Sequence, residues 1–238
     1  MSLNAQVTSV NNFLGTTTGR EKLCRFIQYF ARFYAFYLLR QGAPQSSSQR
    51  WNDLKQHIGN GRKFFRLFKP IEFVQTAVHS LGSSDEVVRL TAVVKHLSNA
   101  LYYCSEVFVL TTAIGFYKPK NVDKIQKFGW KCWFISLFAS ILASLYKFRL
   151  LNVKAVMLEK SKRHLEGKRD PELNLQEKQL VKEINSNSYQ LVQDVVDIII
   201  PSGNLGWLPV DEGVIGLAGA ITSLMAVNTQ WKKTRVSK

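Results

Sequence analysis

What most constrains this chain is a pair of apolar runs that carry no charge. Cys132–Tyr146 is fifteen residues long between Lys131 and Lys147, and Gly213–Trp231 is nineteen residues long between Glu212 and Lys232. A helix needs about 20 apolar residues to cross a bilayer core roughly 30 Å thick. The first run falls short by itself, although Phe128, Trp130, Phe148 and snorkelling lysines extend it. It reads equally well as a buried core helix. The second is long enough to span, but Asn228, Gln230 and its glycines lower its hydrophobicity. In it, Gly216 with Ala220 and Gly219 with Ser223 set small residues four apart. That spacing lets another helix approach closely, in lipid or in a soluble bundle alike. We expect this segment to associate with a membrane, without requiring a full span.

The rest of the chain has helical period and little strand-like alternation. Leu23, Phe26, Ile27, Phe30, Phe33 and Tyr37 recur at steps of three and four over Gly19–Leu39. Gly42-Ala43-Pro44 and Ser46-Ser47-Ser48 predict a loop. One helical stretch then runs from about Arg50 to Leu81 and ends at Gly82-Ser83-Ser84-Asp85. Ser84 or Asp85 is placed to cap a third helix, in which Val87, Leu90, Val94, Leu97, Leu101 and Phe108 share a face. Pro119 separates it from the first apolar run. Between the two runs, Lys147–Glu212 holds ten basic and ten acidic residues, with a break expected at Arg169-Asp170-Pro171. The expected architecture is all-α, a membrane-associated helical bundle with one or two short apolar spans. We divide it into an N-terminal region, residues 1–150, and a C-terminal part, residues 151–238, whose membrane-associated segment covers about 205–234. If both runs span, the termini share one side, but lysines and arginines beside both ends of the intervening loop leave orientation open.

The 32 Lys plus Arg against 17 Asp plus Glu give a formal charge of +15. Such a surplus calls for an anionic partner, nucleic acid or a lipid surface. Residues 1–80 hold 11 basic and 3 acidic residues, so the first third is the part expected to meet it. A nucleic-acid reader would need a polar recognition helix or aromatics on a sheet platform. Here the aromatics sit on helical apolar faces, so no nucleic-acid partner is expected. Cys24, Cys104 and Cys132, an odd number inside apolar runs, suit a reducing compartment. Met1–Thr18 lacks the apolar core of a signal peptide, and Arg235–Lys238 is neither an ER-retention nor a Ser-Lys-Leu address.

The segment from Arg62 to Ile71 is the most informative. On a helical wheel Phe64, Leu67, Phe68, Ile71, Val74, Val78 and Leu81 fall on one side. Arg62, Arg66 and Lys69 fall opposite, with Lys63 at the border. Bulky aromatics under a basic stripe suit a helix lying in a membrane interface. Each basic residue near an anionic leaflet contributes about 1 kcal/mol, and each buried Phe or Leu roughly 1.5–3 kcal/mol. The alternative is a bundle helix whose apolar face packs on its neighbours while the basic stripe is solvated. Pro70 removes one helix hydrogen bond and is expected to kink the stretch.

Catalytic chemistry finds no support. His57, His79, His96 and His164 stand in no metal-ligand spacing, and Gly59-Asn60-Gly61 has Phe64 where a dinucleotide loop needs its third glycine. No phosphate loop or nucleophile elbow is present. We expect no enzyme activity, cofactor or metal.

Three blocks in order carry a family resemblance. Gly19-Arg20-Glu21-Lys22 with Phe26–Arg32 is similar to the opening helix of the peroxin-eleven family of peroxisomal membrane proliferation factors. Arg62–Pro70 resembles that family's amphipathic helix. Leu205–Leu208, Gly216–Gly219 and Gln230-Trp231-Lys232 look like its C-terminal segment. The resemblance covers about Thr18 to Thr234. It implies a protein of the peroxisomal membrane that promotes elongation, proliferation and fission of the organelle by inserting the amphipathic helix into one leaflet of an anionic phospholipid membrane. Carried onto this chain, the inserting residues are Arg62, Lys63, Phe64, Arg66, Leu67, Phe68, Lys69 and Ile71, continued by Val74 and Val78 on the same face. The resemblance also implies a homo-oligomer and a link to the dynamin-related fission machinery. A channel-like component passing small metabolites is the competing reading, and a basic helical adaptor that docks a protein is another.

Overall fold

The computed structural model describes residues 3–164 and 171–235. Within them all regular structure is helical, as the periodicity predicts: α1 (Leu3–Gly15), α2 (Thr17–Arg40), α3 (Gln45–Phe64), α4 (Lys69–Ser80), α5 (Glu86–Ala113), α6 (Val122–His164), α7 (Pro171–Asp197), α8 (Ile199–Asn204) and α9 (Glu212–Thr234). Local chemistry sets the starts. Thr16 accepts from the Gly19 amide, Asp85 from Val87 and Val88, and Asp211 from Val214, each satisfying amides that a first helical turn leaves without partners. Pro171 opens α7, while Arg169 and Asp170 of the expected break lie outside the described residues. The division at residue 150 falls inside α6.

Two boundaries differ from the sequence reading. Ser46, Ser47 and Ser48 belong to α3, not to a loop, because Pro44 fixes the entry and Ser48 donates its hydroxyl to the Ala35 carbonyl on α2. The link shrinks to Gln41–Pro44, with Gly42 at φ 71°, where a side chain would be strained. Arg50–Leu81 is two helices rather than one. α3 ends at Phe64, a turn covers 65–68, and Pro70 stands in the first turn of α4. Pro70 therefore starts a helix instead of kinking one, since its missing N–H is not needed there.

The main helices pair antiparallel. Along α2 and α3, Ala35 meets Ser48, Gln28 meets Gly59 and Glu21 meets Arg62. Along α5 and α6, Tyr102 stacks on Trp133 at 5.3 Å and Lys95 donates to Ser140 at 2.8 Å. Along α6 and α7, Ser140 donates to Asp194 at 2.5 Å and Asn187 to the Ser144 carbonyl at 2.9 Å. α9 returns antiparallel to α2, with Gly213 against Phe36, Gly216 against Phe33 and Gly219 against Tyr29. Contacts of α3 with α5 and of α7 with α9 close a ring, α2–α3–α5–α6–α7–α9.

Polarity in this ring is inverted relative to a water-soluble bundle. On α6, Ser136, Ser140 and Ser144 are buried, while Ile135, Phe138, Leu142 and Leu145 face out. On α9, Gly216, Gly219, Thr222 and Ser223 are buried, while Val214, Leu217, Ile221 and Leu224 face out. Buried charge also sits inside, as in the Arg25–Asp197 pair at 2.6 Å, both side chains nearly fully covered. An apolar core does exist, but it is small: Tyr29, Ile200, Ile215, Ala218 and Ala220, flanked by Phe26 and Trp133. Large contiguous apolar surface over a polar interior is the arrangement that a lipid surrounding favours.

Candidate membrane interface

The turn between α3 and α4 divides the predicted amphipathic segment into an outward apolar half and an inward cationic half. Phe64, Phe65, Phe68, Ile71, Val74, Val78 and Leu81 are exposed, Phe68 at 75% and Ile71 at 68%. Leu67 is half-buried. α4 places Ile71, Val74 and Val78 at steps of three and four, and its C-cap Leu81 continues them, so they form one stripe. What anchors α4 is its other face, where Phe73 stacks on Tyr103 of α5 at 5.3 Å and Ala77 is buried.

The basic residues do not form the surface stripe that the helical wheel predicts. Arg62 is 5% exposed, with its guanidinium 2.6 Å from Glu21 of α2 and a further hydrogen bond to Gln28. Arg66 bonds Glu106 of α5 at 2.9 Å and lies 5.4 Å over the Tyr103 ring. The two faces are those of the wheel; Glu21 of α2 and Glu106 of α5 turn the cationic face inward instead of leaving it to solvent. Burial by itself would raise the Glu21 carboxyl, but Arg62, with Lys22 and Arg66 nearby, outweighs it and holds the group well below the usual carboxylate range. Burial likewise disfavours charge on Arg66, and Glu106 reverses that. Arg66 therefore stays ionised, and the Arg62–Glu21 and Arg66–Glu106 pairs act as internal clamps that fix the turn to α2 and α5. Lys63 donates to the Asn60 side chain at 3.1 Å, and Lys69 pairs with Glu72 on the surface.

Sequence reasoning missed Glu21 and Glu106 as the partners. A signal existed for the first: Glu21 is one of only 3 acidic residues among 11 basic ones in residues 1–80, and a lone acid in a basic region has many suitors. The outward direction of Leu90, Leu97, Leu101 and Phe108 on α5 was also illegible from a wheel, which gives a face but not its neighbour.

The two apolar runs lie within α6 and α9, both long and apolar enough to cross a membrane. The 23 residues of α9 make a rod of about 34 Å. Gly216 and Gly219 sit against α2. A methyl group added at Gly216 would meet the Phe33 amide nitrogen at 2.5 Å, and one at Gly219 would strike the Tyr29 ring. Ala220 and Ser223 are buried on the same side, Ser223 donating to the Gly219 carbonyl at 2.5 Å. Among the described residues no group of three or more His, Cys, Asp or Glu side chains is disposed to hold a metal ion.

The chain matches the family model for Peroxisomal biogenesis factor 11 (PEX11) over residues 7–231. It is 28% identical to the peroxisomal membrane protein PMP27 of Saccharomyces cerevisiae, over 96% of this chain and 95% of that protein. It is 26% identical to the peroxisomal membrane protein PMP30B of Candida boidinii over the same shares of each. With human peroxisomal membrane protein 11A the identity is 23% over 91% of this chain and 93% of that protein. No solved structure matches.

Proposed function

The chain belongs to the Peroxisomal biogenesis factor 11 family and is a peroxisomal membrane protein of a family known as peroxisome proliferation factors, and on that premise we propose that it remodels the membrane with the α3–α4 turn and α4. The observation that carries this reading is the exposure of Phe64, Phe68, Ile71, Val74 and Val78 on an element clamped from behind by buried ion pairs. A rigid apolar ridge entering one leaflet expands it relative to the other, and the sheet bends. Each of these half-exposed side chains would contribute on the order of 1 kcal/mol on insertion, enough together for reversible docking. Lys63 and Lys69 supply attraction to anionic headgroups, about 1 kcal/mol each. Arg62 and Arg66 act on the protein side, by holding the ridge in place. α6 and α9 supply the lasting attachment. Self-association on the membrane and hand-over of elongated membrane to a dynamin-related GTPase complete the reading, supported by the family resemblance.

The test is reconstitution of the full chain into anionic and neutral vesicles, imaged by electron microscopy, with Phe68→Asp/Ile71→Asp beside the wild type. Tubulation by the wild type and its loss in a variant that still inserts and keeps its melting temperature is the expected result. Equal tubulation by both proteins would remove the ridge from the mechanism. The polar interior of the ring is the observation that favours the second reading, passage of small metabolites. Solute flux through the same vesicles, unaffected by the ridge variant, would support it.

A further inference from the structure

The ring of helices lines a half-open cavity of about 1120 Å³ with seven basic and five acidic side chains on its walls. The four arginines among them are engaged: Arg25 with Asp197 at 2.6 Å, Arg32 with Glu212 at 2.7 Å, Arg62 with Glu21 at 2.6 Å and Arg66 with Glu106 at 2.9 Å. The fifth acid, Asp211, lies 3.8 Å from Arg40. The three lysines are left with shared partners or none. Lys22 approaches Glu21 at 3.1 Å, a carboxylate that Arg62 already occupies, and Lys55 reaches Glu212 at 3.9 Å beside Arg32. Lys63 forms no ion pair among the described residues and has the Asn60 amide oxygen as its acceptor. Burial pushes the ammonium groups of Lys55 and Lys63 down, the mark of cations short of counter-charge. Covered charges are costly unless paired, and the walls hold two more positive than negative groups.

We propose that this cavity is a binding site for a phosphate-bearing anion, attracted by the surplus charge that Lys22, Lys55 and Lys63 bring to its walls. A phosphate monoester brings close to two negative charges at neutral pH and three acceptor oxygens, which match the surplus and suit the point charges of lysine. The volume is far larger than an inorganic ion needs and admits an organic phosphate. Two sources share this chemistry, a soluble phosphate ester and the headgroup of an anionic phospholipid. Lys63 immediately precedes the exposed Phe64 at the end of α3, so a headgroup bound there would leave its acyl chains beside the apolar ridge. The site shares Lys63 with the membrane face but none of the apolar ridge, so the ridge variant Phe68→Asp/Ile71→Asp should leave its binding unchanged and the two readings fail separately.

The test uses the full chain in nanodiscs. In one arm, glycerol 3-phosphate is titrated calorimetrically into protein in neutral phosphatidylcholine discs, with glycerol as the control. In the other, retention of phosphatidic acid through detergent exchange is compared with that of phosphatidylcholine. Saturable binding in either arm identifies the source. It should weaken about tenfold or more in Lys22→Gln/Lys63→Gln and Lys55→Gln/Lys63→Gln, as expected for losing charge-assisted contacts, while the exposed Lys131→Gln leaves it unchanged. Lys63→Gln alone removes no ion pair and keeps the comparison available if a double variant does not fold. Absence of saturable binding in both arms, or affinity within twofold of wild type in the folded lysine variants, would overturn the proposal.

Discussion

Arg62 and Arg66 show how the same side chain reports different physics depending on where its partner lies. Removing one member of a buried pair leaves an uncompensated charge and costs about 3–5 kcal/mol. Arg62→Ala should therefore lower unfolding stability by that order, measured by denaturant titration in detergent, whereas Phe68→Asp, on an exposed site, should change it by less than about 0.5 kcal/mol. A double Arg62→Glu/Arg66→Glu change would thus report on folding before it reports on lipid. Glu21 adds a pH signature. Its carboxyl is depressed in the folded state, so the stability it contributes is present above the ordinary carboxylate range and is lost as pH falls below it. Between pH 7 and pH 3 the wild type should lose stability more steeply than Glu21→Gln, which lacks the titrating group. Parallel slopes would show that other carboxylates dominate acid unfolding.

At the scale of elements, the antiparallel contact of α9 with α2 depends on the absence of side chains at Gly216 and Gly219, where the approach is to the Phe33 backbone and the Tyr29 ring. Backbone cannot rotate away as a side chain can. Gly216→Leu should destabilise the pairing by about 1–3 kcal/mol or more through overpacking, read as a lower melting temperature in detergent. The adjacent but outward Leu217→Ala should leave it nearly unchanged. Pro70 offers the opposite case. Because it stands in the first turn of α4, Pro70→Ala should shift stability by less than about 1 kcal/mol and leave α4 in place by hydrogen exchange. A large loss would mean that Pro70 holds the turn rather than merely tolerating the helix start.

For the whole molecule, the pairing of α5 with α6 implies that both share one surrounding. α5 turns Lys95 and Glu106 inward, to Ser140 and Arg66, and presents Leu97, Leu101, Cys104 and Phe108 outward. If α6 crosses the bilayer, this face of α5 lies in lipid. In a Cys24→Ser/Cys132→Ser background, Cys104 should resist a charged maleimide in intact vesicles and react once detergent is added. Rapid labelling in vesicles from both sides of the membrane would place α5 in water and separate it from the span. The same inversion explains why net positive charge and an exposed apolar surface coexist here: the charge is partly spent inside, on Glu21, Glu106 and Asp197.

The sequence by itself determined the helical class, a cap at Ser84 or Asp85, and the two apolar runs, because periodicity and capping act over a few residues; the caps at Thr16 and Asp211 became visible only in the structure. It placed Phe64, Phe68 and Ile71 on one face and Arg62 and Arg66 on the other. Only the tertiary structure decided which face turns out. The reason is that burial is a relation between distant segments: Glu21 meets Arg62 across 41 residues and Glu106 meets Arg66 across 40. Local pattern also failed at the turn of 65–68, where two long-range ion pairs and the docking of Phe73 on Tyr103 accompany a break within a continuous amphipathic period. A helical wheel sorts residues into faces, but the partners that fill the space beside them set the inside and the outside.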